Sequence, residues 1–197
     1  MKDPIFYKSV RPIIKGLIYL LYRPKIIGKE NIPKDGSIIL AGNHTNNFDC
    51  LLLISSTKRC IHFLAKDSLY KGIKKPLFKN MGIIPVNRKT KNPKAVSIAE
   101  ETLNNNGTIG IFPEGTINRT NDIIMPFKMG AVKMGSDTNC YIVPFSITGK
   151  YKIFRNKLTL IIGKPYKVKN KDLEKENKKL MDQVTKLIKE GNKHENV

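Results

Sequence analysis

His44 and Asp49 lie five residues apart in the run Gly42-Asn-His-Thr-Asn-Asn-Phe-Asp49. Together they are the pair that a proton-transfer site needs. A carboxylate bonded to one imidazole nitrogen fixes the tautomer, stabilises the imidazolium that forms, and leaves the other nitrogen as a base. On one continuous helix, five steps of about 100° would set the two side chains about 140° apart and facing away from each other. The pairing therefore requires a turn. With His44 in the connection and Asp49 in the first turn of the following helix, the chain can fold back so that the carboxylate reaches the ring. Taken alone, the same residues among Asn and Thr also describe a capped helix N-terminus.

Other residues suited to chemistry follow along the chain. Gly82-Ile-Ile-Pro-Val-Asn-Arg88 ends an apolar run on a guanidinium, Phe112-Pro-Glu-Gly-Thr116 ends another on a carboxylate, and Ile142-Val-Pro144 closes the series. Arg88 is one of six Arg among 36 cations. As a planar, bidentate donor it suits a phosphate in a way Lys cannot copy. Pro144, near a strand end, reads as a stop to pairing. His62 sits inside an apolar run and reads as a core residue. Cys50 precedes Leu51-Leu-Leu and reads as a buried thiol rather than a nucleophile. No His, Cys or carboxylate cluster has metal-ligand spacing, so no metal is expected. No cofactor is expected either, and the Gly-rich phosphate loops of nucleotide enzymes are absent.

These residues must be delivered by the elements before them. Short Ile- and Val-rich runs at 37–41, 60–65, 82–86, 108–112, 140–147 and 158–162 read as strands. Helical patterns at 47–56, 73–80, 93–105 and 127–136 fill the gaps, and Leu173, Leu180, Val184, Leu187 and Ile188 mark a final amphipathic helix ended by Gly191. Strands alternating with helices give an α/β domain with a largely parallel, mixed sheet flanked by helices, over 31–197. Its sites lie beyond the carboxyl ends of the strands. Residues 1–30 form a separate N-terminal amphipathic segment. Phe6, Val10, Ile13, Leu17, Leu20 and Leu21 fall at helical spacing, with Lys8, Arg11 and Lys15 interrupting and Pro12 expected to kink or divide the helix. The uncharged run is too short to span a bilayer of about 20 residues. The stripe can lie on a membrane, where Tyr7, Tyr19 and Tyr22 suit the interface, or pack on the domain.

The four blocks from Asn43 to Pro144, about half of the 197 residues, resemble the glycerophospholipid acyltransferase family, in particular bacterial 1-acyl-sn-glycerol-3-phosphate acyltransferases of the PlsC type. Each block is weak alone, but all four occur in order. The resemblance implies transfer of an acyl group from an acyl-carrier protein or CoA thioester to the sn-2 hydroxyl of lysophosphatidic acid, giving phosphatidic acid without a covalent intermediate. It makes His44 the general base and Asp49 its orienting partner. Arg88 then binds the acceptor phosphate. Glu114 completes the acceptor site through glycerol hydroxyls or by fixing Arg88, Gly115 lets backbone approach the substrate, and Thr116 assists by hydrogen bonding. Family members commonly follow this motif with Arg-Ser, whereas this chain has Ile117-Asn118 before Arg119. Arg119, or one of Lys66, Lys71, Lys74 and Lys75, then stands in for the missing phosphate contact. Glycerol 3-phosphate or another lysophospholipid remains an alternative acceptor.

Composition bounds the partners. The net charge of +20 and 40% hydrophobic residues describe a globular chain drawn to anions. The surplus is uneven. Residues 58–94 carry 11 cations and a single anion, Asp67, while residues 101–150 are neutral. A basic module for nucleic acid or an anionic membrane is therefore the rival from another class. Without aromatic interleaving or a groove-reading motif, nucleic acid is not the expected partner. Three unpaired-looking cysteines and no secretory signal suggest a reducing compartment, with the protein peripheral on the cytoplasmic face of the membrane.

Overall fold

The computed structural model describes residues 4–70, 74–87, 92–155, 157–169 and 172–193. Strand β2, Ile38–Gly42, is buried at every position, as expected of a parallel strand covered on both faces. Among the described residues it lies at the centre of an eight-stranded sheet. With β1 at Lys25–Ile27, β3 at Ile61–Lys66, β4 at Ile84–Val86, β5 at Thr108–Ile111, β6 at Tyr141–Gly149 and β7 at Leu158–Ile162, the order is β1-β7-β6-β2-β5-β3-β4. From β4 to β6 all pairs are parallel. β7 and the two-residue β8, Tyr166–Lys167, run antiparallel to β6. The sheet is thus mixed and mostly parallel, as the alternating pattern predicts. β1 and β8 are additions, too short for a periodic signal.

Side-chain alternation along β2 divides the core. Ile38 and Leu40 face a cluster with Leu52, Leu53, Phe63 and Phe145 under helices α1 (Ile5–Tyr22) and α2 (Asp49–Ser56). Ile39 and Ala41 face Ala99, Leu103, Val132, Val184 and Ile188 under α4 (Pro93–Asn104), α5 (Gly130–Asp137) and α6 (Leu173–Lys193). A short helix α3 spans Lys74–Asn80.

Three expectations need correction. Helix α1 runs unbroken through Pro12: the proline removes one N–H, but the flanking turns are anchored. Tyr7, 1% exposed, donates to the Arg59 carbonyl at 3.2 Å, and Arg11 Nε donates to the Thr57 carbonyl at 2.5 Å. Gly191 does not end α6, which continues to Lys193. A Cβ at Gly191 would sit 2.5 Å from Thr148 Oγ1, so this glycine serves the close approach of helix to sheet. Nor does Pro144 stop β6, which runs on to Gly149. The antiparallel partner changes from β8, opposite Ile142, to β7, opposite Phe145. Pro144 falls between the two, where its missing N–H interrupts no pairing, and its carbonyl accepts from Gly163 N–H at 2.8 Å.

Helix α1 contributes to the core through Tyr7, Ile18 and Tyr22 while leaving Ile5, Phe6, Ile13, Leu17 and Leu20 exposed. It is apolar on two faces. Among the described residues no helix is long and apolar enough to cross a membrane.

Candidate active site

The register of the sheet brings the first motif to the third. Ala41 on β2 lies opposite Ile111 on β5, so His44 and Glu114 each follow an aligned pair by three residues. Between them Asn43, 5% exposed, replaces main-chain pairing. Its amide nitrogen donates to the Ile147 carbonyl and its oxygen accepts from Ile147 N–H, both at 2.8 Å. This clamp holds the chain to β6 where β2 ends and the turn to α2 begins.

In that turn the backbone folds back as the pairing requires. Nδ1 of His44 lies 2.9 Å from Asp49 Oδ2. Asp49 opens α2 and is fully buried. The same carboxylate accepts from Thr45 N–H at 2.6 Å, Asn46 N–H at 2.8 Å and Thr45 Oγ1 at 3.1 Å. A fifth donor is the Tyr151 hydroxyl, 2.7 Å from Oδ1. Burial, then the nearby Asp49, hold the Tyr151 phenol well above its usual range, so it keeps its proton and donates. With four other donors and no acceptor around it among the described residues, the Asp49 carboxylate sets the tautomer: Nδ1–H points at it, and Nε2 carries the lone pair. Among the described residues Nε2 has no hydrogen-bond partner. Phe112 stacks on the imidazole with centroids 4.0 Å apart and planes 16° from parallel. The ring is thereby fixed in plane as well as in tautomer.

Glu114 makes main-chain contacts that the sequence does not show. Its Oε1 accepts the main-chain N–H of His44 at 2.7 Å and its Oε2 that of Met125 at 2.9 Å. At 5% exposure, the side chain ties the β2 turn to the loop after the Phe-Pro-Glu-Gly block. Burial raises its carboxyl above the ordinary value, against the two main-chain donors. Gly115 has φ 76°, and its N–H donates to the Phe112 carbonyl at 2.9 Å. This is a tight turn with Pro second and Gly fourth, the preference of a type I turn. Thr116 is exposed just beyond it. Asn118, at the departure from the family motif, donates its N–H to the His44 carbonyl at 2.8 Å. Arg88 and Lys71 lie outside the described residues. Arg119, Lys66 and Lys75 are exposed.

The bland readings are placed as well. His62 is buried in β3, with Nδ1 2.8 Å from the Gly82 carbonyl. Cys50, beside Asp49, has its thiol pushed up to about 12 by burial first and by Asp49 second, so it stays protonated at neutral pH. Among the described residues no three His, Cys, Asp or Glu side chains converge as metal ligands would. Within the basic segment, Arg59 gives its guanidinium to Thr108 Oγ1 and to the carbonyls of Pro33, Gly36 and Asn106, which makes it a tie at the amino ends of β2 and β5.

Tyr151 was not legible as a site residue. Its only trace in sequence is an aromatic residue among cations in a strand connection. In space it packs edge-on against Tyr22 of α1 at 5.3 Å and beside Phe48 at 5.9 Å.

A family model described as Acyltransferase matches residues 23–148, which hold His44, Asp49 and Glu114. The chain belongs to this acyltransferase family. A 1-acyl-sn-glycerol-3-phosphate acyltransferase of Bacillus subtilis is 30% identical to it over 165 residues, covering 81% of each chain. A protein of the same name from Borreliella burgdorferi is 34% identical over 132 residues, 66% of this acyltransferase and 52% of that chain. The chain therefore spans about four-fifths of the first relative and half of the second. The crystal structure of the 1-acyl-sn-glycerophosphate (LPA) acyltransferase PlsC from Thermotoga maritima superimposes with a TM-score of 0.73 at 24% identity, over 93% of this chain and 80% of that one. At that identity the match establishes the acyltransferase fold.

Proposed function

We propose that this acyltransferase moves a fatty acyl group from an acyl thioester, carried by acyl-carrier protein or CoA, to the sn-2 hydroxyl of lysophosphatidic acid, yielding phosphatidic acid. The observation that carries the reading is the His44–Asp49 pair at 2.9 Å, with Nε2 left without a hydrogen-bond partner among the described residues. The names of the relatives supply the acceptor. Nε2 takes the hydroxyl proton as the oxygen attacks the thioester carbonyl. Asp49 stabilises the imidazolium, the C–S bond breaks, and the departing thiolate takes the proton back as a thiol. No covalent intermediate forms, and no cofactor beyond the thioester is needed.

Glu114, Gly115 and Asn118 act by positioning, since they fix the main chain on either side of His44. Arg88 holds the acceptor phosphate, a role resting on the resemblance, and Thr116 borders the acceptor. The protein works at the inner, anionic face of the cell membrane. The exposed stripe of α1, with Lys15 over the Tyr19 ring at 5.6 Å, rests in the interface while the core face stays packed. The test is thioester release with lysophosphatidic acid, glycerol 3-phosphate and lysophosphatidylcholine as acceptors and both carriers as donors. Release greatest with lysophosphatidic acid supports the reading; preference for another acceptor replaces it.

A further inference from the structure

The connection between β6 and β7, Lys150-Tyr-Lys-Ile-Phe-Arg-Asn-Lys157, holds four cations and no acid. Connections usually show polar residues to water, yet Ile153 is 56% and Phe154 66% exposed. Phe154 also adopts φ 58°, a left-handed conformation that bulky residues rarely take. The hairpin is nonetheless well fixed. Lys150 N–H donates to the Lys157 carbonyl at 3.0 Å, and Phe154 N–H donates to the Leu21 carbonyl at 2.7 Å. The tip is thus fastened to the carboxyl end of α1, where Leu17 and Leu20 are 52% and 61% exposed. Arg23, Lys150, Lys152, Arg155 and Lys157 are exposed around it.

We propose that Ile153 and Phe154 insert into an anionic phospholipid bilayer as a second membrane contact beside α1. The proposal rests on the lipid-acyltransferase reading above. Two exposed apolar side chains ringed by cations match the interface of such a bilayer, where the apolar groups leave water and the cations meet headgroup phosphates. Protein interfaces, by contrast, are depleted of Lys. Tyr151, the second residue of this connection, bonds Asp49 at 2.7 Å. The depth of the tip therefore sets the height of His44 above the lipid that carries its substrate.

The chain contains no Trp, so Phe154→Trp and, separately, Ile153→Trp each introduce a single reporter at an exposed site. On phosphatidylglycerol vesicles both emissions move to shorter wavelength and are quenched by brominated acyl chains. Ile153→Ser with Phe154→Ser weakens partitioning into the same vesicles by about tenfold or more. Unmoved emission on vesicles that sediment the protein, or undiminished partitioning of the double variant, overturns the insertion. So does emission that moves on duplex DNA but not on vesicles. Thioester release with micellar lysophosphatidic acid, measured on the same proteins, separates the two claims. Turnover without a moved reporter rejects only the insertion, whereas absent turnover rejects the reading beneath it.

Discussion

The Tyr151 hydroxyl, 102 residues along the chain from Asp49, donates to Asp49 Oδ1 at 2.7 Å. It links the β6–β7 hairpin to the carboxylate that orients His44. Tyr151→Phe keeps the ring that packs on Tyr22 and Phe48 and removes only the donor. The loss of one hydrogen bond to a charged group, about 1.5–3 kcal/mol, predicts a kcat lower by about 10- to 100-fold with acceptor and donor KM unchanged. Steady-state kinetics check it. A rise in KM at constant kcat would instead make Tyr151 a substrate contact.

Glu114 gives a prediction in pH. Burial raises its folded-state carboxyl pKa, so the native chain holds this proton more tightly than the unfolded one. The stability this contributes is full below the unfolded pKa and lost as pH rises through the folded value. Glu114→Gln cannot titrate. The stability of wild type relative to this variant therefore falls as pH rises out of the ordinary carboxyl range. Urea midpoints across that range check it. A pH-independent offset of about 1–3 kcal/mol is expected beneath the slope, because the amide leaves one of the His44 and Met125 N–H groups unpaired.

Arg88→Lys separates charge from geometry. A lysine keeps the charge but loses the bidentate fork, so the KM for lysophosphatidic acid rises while the KM for the thioester holds. Unchanged acceptor kinetics would remove Arg88 from the phosphate site.

The sequence carried the parts of the site that are local. His44 and Asp49 share one turn, so their spacing alone showed that the chain must fold back, and the Ile- and Val-rich runs located β2 and β5. Long-range relations were hidden. Tyr151 reaches Asp49 only because β6 lies beside β2, and Glu114 meets His44 N–H only through the Ala41–Ile111 register. The main-chain donors that the Glu114 oxygens hold had no signal in the sequence. Pro144 and Gly191 look like punctuation in a linear reading. Their environments, a change of strand partner and a helix pressed against Thr148, exist only in the assembled sheet.

In the proposed reaction Nε2 of His44, set by Asp49, removes the proton from the sn-2 hydroxyl. Phosphatidic acid formation from lysophosphatidic acid and an acyl thioester by His44→Ala, beside wild type, tests it most directly, with circular dichroism confirming the fold. Loss of the base leaves a folded variant whose turnover is about 10²- to 10⁴-fold lower. A folded His44→Ala protein that makes phosphatidic acid at the wild-type rate would contradict it.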